Sequence, residues 1–336
     1  MIRIDDIQID KDFYNPLIHL LMNTTGLNLN YYQRNFIEKR IKSRMIRVNC
    51  DTLELYYKYL LGNPQETDKF LNCFNINYSV FFRNWEVFEQ FENIILSCLY
   101  LSKKDIISDL KPSPERQYIR ESKSILLNNK HRVSKRVGRT LLARDLFHTS
   151  LYKKIWNPSE IKRHINIWSC PCANGEEPYS IAMILDNLKN QVPSFPLFKI
   201  TASDIDKDSI RKAKFGIYNE DNTKNVSKYY EYKYFIKKKE NLGFSYSIHN
   251  NLKNYIEFIE EDITKGHQTS NNYDIVFCRY LLIYINRKVR EKFLQIICNR
   301  LTSGGLLILG KTETLFNTQT DLKLIDSYNR IYMKKG

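Results

Sequence analysis

Apolar positions keep helical spacing in the first hundred residues of this chain, and from residue 165 they gather in short runs between helical segments. From Tyr31 to Val48, Ile37, Ile41, Met45 and Val48 stand at i, i+4, i+8 and i+11, the stripe of one helix face. Arg40, Arg44 and Arg47 repeat on a neighbouring stripe. LELYYKYLLG, QETDKFLNCF and WEVFEQFENIILSCLYL keep the helical spacing, with Gly62 as a stop. These segments predict a helical N-terminal domain over residues 1–100. From 165 onward short apolar runs alternate with helical segments: INIWSC, FKITASD, IEFIEED, YDIVFCR and GLLILG. Strands alternating with helices predict a parallel sheet covered on both faces, a doubly wound α/β domain over residues 165–336. DLKLIDSYN and RIYMKK predict a terminal hairpin. A Lys-, Tyr- and Asn-rich stretch at 216–255 interrupts the alternation and reads as a small β excursion.

Composition changes this picture in one place. The chain has 336 residues, enough for two domains, and a formal net charge of +15. Residues 103–164 hold 16 Lys and Arg against 6 Asp and Glu. With Pro112, Pro114 and Pro158, residues 101–164 read as a basic linker or insertion between the domains. Such a surface suits nucleic acid, anionic lipid or acidic protein, and equally a solvated insertion. MIRIDDIQID has no apolar core for a signal peptide, and no run reaches the ~18 residues of a membrane span. The seven cysteines form no disulfide framework and fit reduced thiols in the cytoplasm. Cys170 and Cys172 supply at most two ligands, with no second pair to complete a metal site.

The candidate chemistry centres on CPCANGEEPYSIAMIL, residues 170–185. A strand turns into a helix there, a place that favours anions. Glu176 and Glu177 would repel a phosphate, and neither a G-x-G-x-x-G spacing nor a P-loop lysine is present. One bland reading is a capping box in which Asn174 caps the helix and Glu177 reaches back. The other is a ligand that carries a cation and no phosphate, such as S-adenosylmethionine. Asp204 ends the strand FKITASD, where an acid can accept two ribose hydroxyls, and Asp262 ends IEFIEED, within reach of an adenine amino group. Lys311 in GKTETL imitates a P-loop only by its letters.

These residues resemble those of the CheR-type chemotaxis receptor methyltransferases. NINYSVFFR (75–83), IWSCPCANGEEPYSIAMIL, ASDIDKDSIRKAKFGIY (202–218), the block from Tyr273 to Leu315 and YYQRNFIEKRIKSRM carry the resemblance, in order along nearly the whole chain outside 103–164. It implies a Rossmann-like class I methyltransferase domain behind a small all-α domain, with a small β subdomain at 216–255. It also implies transfer of a methyl group from S-adenosylmethionine to glutamates on cytoplasmic chemoreceptor helices, with S-adenosylhomocysteine as product, by a cytoplasmic monomer.

Carried over by resemblance, Asn77, Ser79 and Arg83 line the cofactor and substrate mouth. Glu176 or Glu177 binds the methionyl ammonium, Asp204 the ribose, and Asp262 with Ile263 flanks the adenine. Arg279 and Tyr280 follow, and Tyr284 matches an active-site tyrosine. The chain departs from the family's usual pattern at Ser79 (often Thr), Asp262 (usually Asn) and Tyr280 (usually Asn). Arg83 and Tyr284 are the expected catalytic pair, against plain readings as a surface ion pair and a packed tyrosine. The basic helix face is expected to steer acidic receptor helices. Two other readings compete: the same cofactor with RNA or another protein as acceptor, and a non-catalytic binding module.

Overall fold

The computed structural model describes residues 7, 9–74, 79–100, 148–156, 164–192, 195–241, 243–263, 272–315 and 321–336. Asn77 and residues 101–147 and 157–163 of the basic stretch lie outside these. Four helices, α1 (Lys11–Thr25), α2 (Arg34–Arg47), α3 (Leu53–Gly62) and α4 (Gln65–Phe74), pack around one core. Asp10 caps α1 by accepting from the Asp12 N–H, and Gly26 ends it at φ 68°. Ile37, Ile41 and Met45, the stripe seen in the sequence, are the buried face of α2. Each contributes roughly 1.5–3 kcal/mol by leaving water.

The neighbouring arginine stripe is not one surface, which corrects its reading as a single basic face. Arg44 is buried and forms a fork with Glu66 of α4, Nε to Oε1 at 2.7 Å and Nη2 to Oε2 at 2.8 Å. The Tyr56 hydroxyl donates to the same Glu66 oxygen. Arg44 therefore locks α2 to α4, leaving Arg40 and Arg47 at the cleft between them. The Arg40 guanidinium sits over the Phe36 ring, 4.9 Å from its centroid.

The second core is a sheet. Among the described residues β1 (His164–Ser169), β2 (Leu197–Asp204), β6 (Ile256–Glu260), β7 (Tyr273–Cys278), β8 (Leu301–Leu309), β9 (Leu322–Asp326) and β10 (Ile331–Lys334) align in the order β6-β2-β1-β7-β8-β10-β9. All neighbouring pairs are parallel except β10, which runs antiparallel to β8 and β9 and makes the expected terminal hairpin with β9. Alternate residues face opposite sides. Ile165, Ile167, Ile275 and Phe277 pack against α7 (Glu176–Gln191) and α5 (Trp85–Tyr100). Trp168, Val276 and Cys278 pack against α12 (Arg287–Arg300). This is the doubly wound α/β plan.

The excursion after α8 (Lys207–Phe215) is a three-stranded antiparallel sheet of β3 (Ile217–Tyr218), β5 (Gly243–Ile248) and β4 (Phe235–Glu240). It carries the short helices α9 (Glu220–Thr223) and α10 (Lys228–Tyr234). The chain winds outward from β1 to β2 and β6, then returns to β7 and β8 on the other side. The crevice beyond the ends of β1 and β7 is thus the switch point, where open α/β sheets place ligands.

Candidate active site

A cavity of about 240 Å3 opens at that switch point. Its wall comes from the turn after β1 (Pro171, Cys172, Ala173), from Glu177, from the end of β7 (Arg279, Tyr280), from Tyr284, and from Ser79 and Arg83. A narrower cavity of about 40 Å3 lies on the far side of Pro171, between Asp204 after β2 and Asp262 with Ile263 after β6.

The turn after β1 depends on Gly175, at φ 96°. A Cβ there would meet the Ala213 Cβ at 2.9 Å, so a side chain is excluded by space as well as by backbone. Gly175 is the N-cap of α7 and no side chain caps that end, which corrects the capping box read from Asn174 and Glu177. The two glutamates separate instead. Glu177 accepts from the Ser169 hydroxyl at 2.8 Å and pairs with Arg279 at 3.0 Å. Arg279 then reaches across to the Arg83 carbonyl (2.7 Å) and the Asn84 side chain (3.0 Å), joining β7 to the loop before α5.

Glu176 points the other way and is fully buried. Its Oε1 accepts from the Asn222 amide of α9 at 3.0 Å, and its Oε2 has no hydrogen-bond partner among the described residues. Burial pushes its pKa up to about 7, against the pull of backbone N–H groups, Ser79 and Asn222. Asp204 is also buried. Its Oδ2 accepts from the Ala173 N–H at 2.8 Å and its Oδ1 from the Asp206 N–H at 3.0 Å. Burial raises its pKa to about 6, with those N–H groups opposing and Asp206 adding repulsion. The carboxylate braces both turns and keeps outward lone pairs.

On the opposite wall the Arg83 guanidinium stacks 3.7 Å from the centroid of the Tyr280 ring, and the Tyr280 hydroxyl donates to Asn84. Tyr280 holds a left-handed φ of 61°. Tyr284 lines the cavity and leans on Phe36 of α2, with ring centroids 4.8 Å apart. The structure thus gathers every described candidate around two adjoining cavities, with Glu176 behind the wall rather than on it.

Three contributors were not foreseen. Tyr32 from the helical domain lines the narrow cavity beside Asp204 and Asp262. Asn222 touches Glu176, and Glu313 accepts from backbone N–H groups of the Tyr280 loop. YYQRNF and GKTETL were both visible, but nothing in their spacing links them to strands some 200 residues away or to a loop 30 residues back.

Residues 139–331 match the SAM-binding domain of CheR methyltransferase, and residues 12–74 match its all-alpha domain. The chain belongs to the CheR methyltransferase family. A chemotaxis protein methyltransferase of Borreliella burgdorferi is 25% identical over 315 residues, 92% of this chain and 90% of the relative. Chemotaxis protein methyltransferase 2 of Vibrio cholerae is 24% identical over 295 residues, covering 87% of this chain and 81% of the relative. That of Listeria monocytogenes is 22% identical over 326 residues, 97% and 98% of the two chains. This CheR chain is accordingly an S-adenosylmethionine-dependent methyltransferase. Its residues fit the cofactor: the Glu176 carboxylate has an unpartnered oxygen suited to an ammonium, and Asp204 has lone pairs suited to hydroxyls. Among the described residues no helix is long and apolar enough to cross a membrane.

Proposed function

We propose that this enzyme methylates glutamate side chains on cytoplasmic chemoreceptor helices, giving glutamate γ-methyl esters and S-adenosylhomocysteine. The observation that carries the reading is the shared cavity of Arg83 and Tyr284, walled on its other side by the turn after β1. The bound cofactor supplies an electrophilic methyl on a sulfonium. A glutamate acceptor, with a reference pKa of ~4.3, is already ionised at neutral pH, so no general base is required. The carboxylate oxygen forms the new C–O bond as the C–S bond breaks, and the electron pair leaves on sulfur. The protein's work is positioning and removal of water. Arg83 holds the acceptor carboxylate, with its guanidinium anchored over the Tyr280 ring. The Tyr284 hydroxyl orients it. Ser79 joins the cofactor wall, Asp204 holds the ribose, and Asp262 with Ile263 and Tyr32 encloses the adenine. Arg279 and Glu177 brace the wall, and Glu176, fully buried behind it, is assigned the ammonium by its motif and its unpartnered oxygen. Asn77 is assigned to the cofactor by its motif alone.

The Glu176 assignment has a pH signature. Below pH 7 Glu176 is largely protonated and neutral, whereas an ammonium stabilises its ionised form. Cofactor affinity is therefore expected to fall about tenfold from pH 8 to pH 6, with a proton released on binding. Calorimetry with S-adenosylhomocysteine in buffers of different ionisation enthalpy reads both. An affinity that is flat across this range contradicts the role of Glu176.

Receptor methylation regions are taken to be acidic helices. The cleft between α2 and α4, lined by Arg40, Arg47 and Lys69, is proposed to attract them to a monomeric, cytoplasmic enzyme. Methylation of a receptor fragment then slows as salt rises, and an Arg40→Ser/Arg47→Ser variant shows a shallower salt slope. A rate indifferent to salt removes the steering claim. The choice of acceptor is tested by offering labelled S-adenosylmethionine with a receptor helix and, separately, with RNA. Label on the RNA alone would favour the second reading.

A further inference from the structure

Glu313 follows β8 and is 2% exposed. Its carboxylate faces backbone N–H groups. Oε2 accepts from Tyr280 and from Gly310, both at 2.7 Å, while Oε1 accepts from Leu282 at 2.7 Å and, more weakly, from Ile283 at 3.4 Å. Three of these donors belong to the segment that leaves β7 and carries both Tyr280 and Tyr284. Two carbonyls of that segment, those of Ile283 and Tyr284, are taken by Gln33 of the helical domain, while the Leu282 carbonyl accepts from Arg290. The Gln33 side-chain amide donates to the Ile283 carbonyl at 2.8 Å and its backbone N–H to the Tyr284 carbonyl at 2.8 Å. Segment 280–284 is therefore held through its N–H groups by the Glu313 carboxylate and through two of its carbonyls by Gln33.

The hold has work to do. A bulky residue at φ 61° is strained by about 1–3 kcal/mol and persists only where its surroundings over-determine it. Tyr280 is fixed by its N–H on Glu313 and its hydroxyl on Asn84. Gly310 lets the carboxylate come this close, since a Cβ there would lie 2.8 Å from Glu313 Oε2 and 3.0 Å from the Tyr280 N.

We infer that Glu313 is a positioning residue for methyl transfer: through the backbone N–H groups of Tyr280, Leu282 and Ile283 it sets the Tyr280–Tyr284 segment, and with it the Tyr280 ring against which Arg83 rests. Glu313 is not among the residues lining the cavity, so it acts only through that segment. The inference rests on the proposed transfer to glutamate.

Glu313→Gln keeps the shape but leaves one acceptor oxygen and turns an NH2 toward N–H donors. Its kcat on a receptor fragment is expected to fall on the order of 10²-fold, the scale of a misplacement near 1 Å, while S-adenosylhomocysteine affinity changes only a few-fold. Glu313→Asp, which keeps an ionised acceptor, recovers much of the lost kcat. Should the Gln variant fail to fold, Gly310→Ala carries the test, because it displaces the carboxylate without removing it and should show the same kcat-selective loss. A Gln variant with wild-type kcat overturns the inference. So does a kcat loss matched by an equal loss of cofactor affinity, or an Asp variant no better than Gln. A wild-type enzyme inactive on the fragment contradicts the proposed function itself and is read in the same experiment.

Discussion

Arg83→Ala is expected to lower kcat/KM for methyl transfer by roughly 10²- to 10³-fold, the range seen when one preorganised donor is removed from a reacting oxygen. The structure explains why the loss falls on chemistry. Arg83 lines the 240 Å3 cavity, and its guanidinium carbon sits 3.7 Å from the centroid of the Tyr280 ring. A planar fork presented at a fixed angle binds a carboxylate through two parallel bonds and aims the attacking oxygen. Arg83→Lys tests the geometry, because a lysine keeps the charge but neither the fork nor the stacking. It should recover only a small part of the rate. Steady-state kinetics on a receptor fragment measures both, and an alanine variant with unchanged kcat/KM removes Arg83 from the mechanism.

The second large effect concerns the cofactor. Asp204→Asn should weaken S-adenosylhomocysteine binding about a hundredfold. Two charge-assisted hydrogen bonds to ribose hydroxyls are worth about 1.5–3 kcal/mol each, and losing about 3 kcal/mol is near two decades in affinity. Asparagine matches the shape and keeps one carbonyl oxygen for the Ala173 or Asp206 N–H, so the turns that Asp204 braces are disturbed least. Thermal unfolding confirms that the variant is folded, and calorimetry gives the affinity. An unchanged affinity would mean that the ribose is held elsewhere.

Much of this fold was legible in the sequence because short apolar runs alternate with segments of helical spacing. The strands around Ile165, Thr201 and Ile275 stand out as short apolar runs buried over most of their length, and the α2 stripe of Ile37, Ile41 and Met45 keeps helical spacing. Pairing was less legible. Arg44 shares its stripe with Arg40 and Arg47, and only the arrival of Glu66 from α4 makes it an internal strut. The adjacent glutamates at the turn could not be told apart in one dimension. Successive helical residues point about 100° apart, which sends Glu177 to Ser169 and Arg279 and Glu176 to Asn222. Glu313 was passed over because its four partners are backbone N–H groups, which no residue pattern displays. Tyr280 was read as a departure that adds bulk, and the structure puts that bulk under Arg83.

Methyl transfer from S-adenosylmethionine to a glutamate carboxylate at the β1–β7 crevice leaves a chemical signature of its own. The most direct measurement incubates the wild-type protein with methyl-labelled cofactor and a receptor helix fragment, then treats the fragment with mild alkali. Label that alkali releases as volatile methanol, as a γ-methyl ester must, is expected on the fragment, with none on a fragment whose acceptor glutamates are replaced by alanine. Label that resists alkali, or no transfer at all by a protein that binds S-adenosylhomocysteine, would contradict it.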